Sequence, residues 1–130
     1  MSETSGDSVG LNHEHLIAVV GPCAAGKTTL IEGLVEQGYR ARQIAQEHSY
    51  VPQMWQILTK PDVLIYVDAS YESCTQRKQL NWSVTDYERQ IERLAHARQH
   101  CDIYLNTEGI SAQVALELAL EALVPLISPK

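Results

Sequence analysis

The run Gly21-Pro-Cys-Ala-Ala-Gly26-Lys27-Thr28 constrains this chain more than any other feature. It is a complete GxxxxGK[ST] pattern. It follows the apolar stretch Leu16-Ile-Ala-Val-Val20 and opens the amphipathic stretch Lys27 to Gln37. A continuous apolar run reads as a parallel strand covered on both faces. In the next segment Leu30, Ile31, Leu34 and Val35 share one helical face, Glu32 and Glu36 face water, and Gly38 stands at the stop. Strand, glycine loop and helix in that order make an anion-binding device. Glycines at 21 and 26 admit backbone conformations that a side chain forbids and bring the main chain close to a ligand. The amides of Ala24 to Thr28 then converge on a phosphate, reinforced by the helix dipole. Lys27 adds positive charge at the outer phosphates, and the Thr28 hydroxyl is placed to ligate Mg²⁺. With ordinary residue frequencies, a chance match in such a chain is on the order of one in a few hundred. Cys23 inside the loop reads either as a small residue at an unconstrained position or as a redox-sensitive thiol near a helix N-terminus.

The remaining elements alternate. Tyr39 to Ala45 is a weaker strand, and its polar residues Arg40, Arg42 and Gln43 point to a sheet edge. Pro52 suits the first turn of a short helix carrying Met54, Trp55, Ile57 and Leu58, which Pro61 ends. Val63 to Val67 is a second buried strand, Tyr71 to Lys78 a helix, and Gln79 to Val84 a polar loop holding Trp82. Thr85 or Asp86 is expected to cap a long helix running to about His100. Asp102 to Asn106 reads as a strand. Ser111 caps a final helix to Val124, apolar nearly all round, for which deep burial is expected. The order β-α-β-α-β-α-α-β-α predicts a parallel sheet with helices on both faces. The stretch from Gly21 to Asp62 has no room for a fifth strand and its crossover, so four strands are expected.

Hydrophobic residues make up 45% of the 130-residue chain and charged residues 20%, the balance of a folded globular protein. Residues 1–13 are expected to be a disordered leader and residues 14–130 a single domain. Ten Lys and Arg against sixteen Asp and Glu leave a formal charge of −6. That balance argues against a nucleic-acid or anionic-membrane partner, whose affinity comes from clustered positive charge. No stretch reaches the roughly 18 apolar residues of a spanning helix, and the polar, acidic N-terminus does not read as a signal peptide. Cys23, Cys74 and Cys101 are odd in number, far apart and free of any CxxC spacing, which points to reduced thiols and a cytoplasmic setting.

On these residues the chain resembles the P-loop NTPase superfamily, and within it the small-molecule kinase branch of nucleoside-monophosphate and shikimate-kinase-like enzymes. Four segments carry the resemblance: Leu16 to Leu30, Pro61 to Asp68 with the helix after it, Arg77 to Arg98, and Asp102 to Ile110. The resemblance implies a three-layer α/β/α P-loop NTPase sandwich on a short parallel sheet of about four strands. It implies ATP or another NTP with Mg²⁺, nucleotide contacts from Gly21, Pro22, Cys23, Ala24, Ala25, Gly26, Lys27, Thr28 and Thr29, and a lid-like segment at 79–98. The expected activity is γ-phosphoryl transfer to a small-molecule acceptor. Members of that branch usually carry a fifth strand and an acceptor-binding insert, both trimmed here. The alternative is therefore a nucleotide-binding module or NTPase switch with no acceptor.

Further candidates follow from position. Asp68 closes an hhhhhD strand, where it serves a metal through water or caps the next helix. Gln43, Glu47 and His48 follow the second strand on the same side. Glu47 is placed to accept a proton from an acceptor hydroxyl or to hold Mg²⁺, unless this is a solvated loop. Arg77, Arg89, Arg93 and Arg98 are the available cations, with Arg77 and Arg93 preferred as phosphate contacts and a solvated charged face as the plain alternative. His96 and His100 stand at i, i+4 without a third ligand near in sequence, and His13-Glu-His15 is similarly weak as a metal motif. Thr59-Lys-Pro-Asp62 has the form of a guanine-reading motif, but it precedes its strand and so falls at the opposite edge. Trp82 reads as a packing residue or a stacking platform.

Overall fold

The computed structural model describes residues 15–78 and 81–127. The leader expected at 1–13, the His13-Glu14 pair and residues 79–80 lie outside the described residues. Four parallel strands, β1 (Leu16–Val20), β2 (Arg40–Gln43), β3 (Val63–Asp68) and β4 (Ile103–Asn106), form one sheet in the order β2-β1-β3-β4. The two central strands are the two continuous apolar runs, and every residue of Leu16–Val20 and Val63–Val67 is buried. β2 is the exposed edge that its arginines predicted. β1 pairs with β2 from Leu16↔Arg40 to Val19↔Gln43 and with β3 from Ile17↔Val63 to Val20↔Tyr66.

Among the described residues five α-helices cover the sheet: α1 (Lys27–Glu36), α2 (Met54–Thr59), α3 (Tyr71–Lys78), α4 (Val84–His100) and α5 (Ala112–Leu123). Alternation along each strand separates two cores. Ile17, Val19, Ile65 and Val67 pack with α1 and α5. Ala18, Val20, Leu64 and Tyr66 pack with Trp55 of α2 and with Leu94 and Ala97 of α4. This is an α/β arrangement with helices on both faces of a four-stranded parallel sheet. None of the helices among the described residues is long and apolar enough to cross a membrane.

Two expectations need correction. The cap of α4 is Ser83, not Thr85 or Asp86: its hydroxyl accepts the Asp86 amide while the Asp86 carboxylate accepts the Ser83 amide. That reciprocal pair starts the helix at Val84, inside the segment read as loop, and holds the Asp86 carboxyl below the usual range. The final helix is capped by Ser111 as expected but is not deeply buried all round. Ala115, Ala119 and Leu123 face the core, whereas Val114 and Leu118 remain 40% and 43% exposed. Among the described residues nothing buries that second stripe.

The opposite edge of the sheet is tied by two equivalent clamps. The Asp62 amide donates to the Leu16 carbonyl and the Leu16 amide to the Asp62 carboxylate at 2.7 Å. Asp102 does the same for Leu64, at 2.8 Å in both directions. Asp62 thus serves a strand end, on the far edge from the glycine loop.

Candidate functional site

The loop after β1 is shaped by what Gly21 must avoid. A Cβ there would lie 2.2 Å from the Val67 carbonyl oxygen, because the chain leaves β1 directly against β3. Ala24 and Gly26 then take positive φ, 65° and 109°. Gly26 is the N-cap of α1 and offers no side chain to the first turn. Helix N-terminal amides have no partner within the helix. Those of α4 and α5 meet serine hydroxyls, but among the described residues the amides of Gly26, Lys27, Thr28 and Thr29 donate to no protein acceptor.

The Ala25 carbonyl explains their direction. It accepts from the Thr107 hydroxyl at 2.9 Å and from Arg77 Nη1 at 3.1 Å. Across a planar trans peptide the Gly26 N–H points opposite to that carbonyl. Holding the oxygen toward Thr107 and Arg77 turns the Gly26 amide away from them, and Gly26, Lys27, Thr28 and Thr29 line a cavity of about 530 Å³.

Lys27 and Glu47 form the charged centre of this cavity. Glu47 stands in a short 3₁₀ turn, Gln46–His48, just after β2, and β1–β2 pairing brings it beside the loop. Lys27 Nζ lies 2.6 Å from Glu47 Oε2, with the two residues 5% and 2% exposed. The ammonium also donates to the Gly21 and Pro22 carbonyls. Glu47 Oε1 is buried without a hydrogen-bond partner. Buried ions require compensation on every face, so this half-satisfied carboxylate marks the turn as a place for a further cation or donor. Gln46 fixes the turn from behind: its side chain donates to the Val51 and Arg93 carbonyls and accepts the Trp55 amide.

The remaining candidates divide. Thr28, Thr29, Gln43, Glu47, His48 and Arg77 all line the cavity, as do Cys23 and Ala24. Arg77 lies on its wall, but its guanidinium is occupied by the Ala24 and Ala25 carbonyls and by the hydroxyl and carbonyl of Thr107. Arg93 does not line the cavity: it donates to the Glu47 carbonyl at 3.2 Å and stacks over Tyr50. Asp68 does not line the cavity either. Its carboxylate accepts from the Tyr104 hydroxyl and belongs to two shallow depressions beside Tyr87. Burial, and after it the hydrogen bond and charge of Asp68, push the Tyr104 phenol upward. Trp82 is a packing residue, its indole N–H on Thr75 and its ring against Tyr71 and Tyr87. His96 and His100 stack at 4.2 Å, with His96 accepting from the Trp55 indole.

Two residues went unnoticed in the sequence. Thr107 is one. The other is Gln90 of α4, 6% exposed, whose Oε1 accepts the Cys23 amide at 3.0 Å and whose Nε2 donates to Cys23 Sγ at 3.2 Å. The segment expected as a lid thus includes a helix packed on the sheet that grips the loop at one point. Neither residue has a local signal, because each acts on a loop far away in sequence. No protein-family model matches this chain, and a search of curated proteins finds no match for it.

Proposed function

We propose that the protein is a P-loop nucleotide-binding protein and, in its most economical reading, an ATP- and Mg²⁺-dependent kinase for a small acceptor. The observation that carries this reading is the set of free amides at residues 26–29, facing one cavity with a buried lysine. Phosphate oxygens satisfy such amides and replace the Glu47 carboxylate as partners of Lys27. The residues also fit a magnesium ion. Thr28 is exposed on the cavity wall, and Glu47 lines the same cavity with one carboxylate oxygen buried and unpartnered. Mg²⁺, when bound with a nucleotide, neutralises charge on the terminal phosphates. Glu47 takes the metal-facing role in preference to Asp68, whose carboxylate is engaged by Tyr104. The alternative assignment of Glu47, as acceptor of a proton from a hydroxyl nucleophile, uses the same placement. Catalysis would rest on positioning and electrostatics.

Gln90 favours a second reading, a nucleotide-driven switch. It connects the loop apex to α4, so loop rearrangement on binding would reach a long surface helix. Thermal-shift titration with ATP, GTP and their diphosphates, with and without Mg²⁺, tests the shared premise, because a ligand that binds the native state raises the melting point. Acceptor-stimulated ADP release, lost in Lys27→Ala, separates kinase from switch. No response to any nucleotide would overturn both.

A further inference from the structure

We propose that Cys23, His48 and Glu47 form a site for one thiophilic divalent cation, with Zn²⁺ the best fit, on the wall of the same cavity. A thiol sulfur, an imidazole nitrogen and a carboxylate oxygen from these residues lie within 4.8 Å of one another. Cys23 Sγ is 3.7 Å from His48 Nε2, and His48 Nε2 is 3.9 Å from Glu47 Oε2. Tetrahedral zinc, with bonds of about 2.3 Å to sulfur and about 2.0 Å to nitrogen, sets those two ligands about 3.5 Å apart. The thiol and imidazole need to close by only a few tenths of an ångström, and the Glu47 carboxylate, within 4.8 Å of both, has to move in by up to about an ångström. Parallel pairing of β1 with β2 supplies the approach, because both donor loops leave the same ends of adjacent strands.

Glu47 adds a second observation. Its Oε2, 3.9 Å from His48, also holds Lys27, while Oε1 of the same carboxylate is buried with no partner. A buried acceptor left unsatisfied is costly, and a cation bound to that carboxylate lowers the cost. The mixed S, N, O set selects the metal class. Mg²⁺ and Ca²⁺ prefer oxygen alone, whereas thiolate with imidazole suits zinc. An outer shell is also present: Gln90 donates to Cys23 Sγ and Arg93 to the Glu47 carbonyl. On binding, the Cys23 S–H proton passes to solvent and sulfur donates its electron pair to the metal, with no change of oxidation state. Three protein ligands leave a fourth position for water or a phosphate oxygen. The Lys27 ammonium opposes a second cation nearby, which keeps binding weaker than in a closed four-ligand site.

Metal binding at this place does not depend on the nucleotide reading. Its consequence does. If the cavity takes Mg-nucleotide, zinc draws Cys23 and Glu47 together on the cavity wall and competes with it.

The test uses the full-length protein stripped of metal by a chelator that is then removed. Zn²⁺ is titrated calorimetrically and against a chromophoric chelator, and Co²⁺ serves as a spectroscopic probe. One Zn²⁺ per chain is expected, with a thiolate charge-transfer band for Co²⁺. C23S and H48A should each weaken zinc by more than about tenfold, and C23S should remove the band. H100A, in the separate histidine pair, should change neither. Melting curves in chelator verify that each variant is folded, and H48Q stands in if H48A is not. No zinc binding, a signal that survives C23S and H48A, or one that vanishes in H100A overturns the site. ATP with Mg²⁺ is titrated separately into the metal-free protein. Zinc binding without nucleotide binding sinks the phosphate reading alone, and nucleotide binding without zinc sinks only the metal site.

Discussion

Lys27 is the residue on which stability and the proposed function meet. Its ammonium is almost fully buried, held by Glu47 and two loop carbonyls. A buried ion pair contributes little net stability, but removing one member leaves an uncompensated charge and costs about 3–5 kcal/mol. Lys27→Met should therefore lower the urea midpoint markedly as well as abolish nucleotide-induced stabilisation. Adding Glu47→Gln to it should restore a large share of the loss, since the orphaned charge is gone. Additive losses in that double-mutant cycle would show that the pair is not coupled. Gly21 is a simpler case. A methyl group there meets the Val67 carbonyl head-on, so Gly21→Ala should destabilise by about 2–3 kcal/mol in denaturant melts. Both residues were legible in the sequence because the GxxxxGK[ST] spacing states its own geometry. Glu47 was legible only as a position after a strand. That it neutralises the lysine depends on the register of β1 against β2, which no local pattern records.

At the scale of elements, the loop is held open by its neighbours. α3 and β4 meet at the Ala25 carbonyl through Arg77 and Thr107, and α4 meets Cys23 through Gln90. Each contact fixes a peptide orientation more than it adds to overall stability. Gln90→Ala should cost only about 1–2 kcal/mol and, on the proposed nucleotide reading, weaken nucleotide binding roughly tenfold, read by thermal melts and by calorimetry on the same sample. Equal affinity in the variant would mean that the loop keeps its shape unaided. Strands β1 and β3 were plain from their apolar runs, and β2 from its polar ones. The faces of the helices were not equally plain. α5 looked buried because alanine and leucine recur all round it, yet only the Ala115, Ala119 and Leu123 stripe meets the sheet. How far burial extends is decided by the width of the sheet, a property of the whole strand order. Arg77, near the end of α3, was legible as a cation on the cavity wall, but the carbonyls its guanidinium serves were not.

Across the whole molecule, burial of the sheet on both faces makes the fold sensitive to alkali. Cys74 has no accessible surface, and desolvation pushes its thiol from 9.0 to about 11. Tyr87 is raised from 10.0 to about 12, mainly by burial and then by Asp68. Tyr39, Tyr66 and Tyr104 are raised as well, desolvation being the leading cause in each. All five groups are neutral when protonated, and the folded state resists their ionisation more than the unfolded chain does. Their contribution is complete below the unfolded value of about 9 for the thiol and is lost as pH climbs through the folded values. The melting temperature should thus hold steady to about pH 9 and fall between about pH 9 and 12. Cys74→Ala removes the first part of that fall, because its group ionises lowest in the unfolded chain. Thiol labelling should follow the same order, with Cys74 protected until unfolding while the partly exposed Cys23 and Cys101 react in the native protein. A melting temperature that stays flat through this range, or native-state labelling of Cys74 as fast as that of Cys101, would mean that the two faces of the sheet are not sealed by α1 and α5 on one side and α2 and α4 on the other.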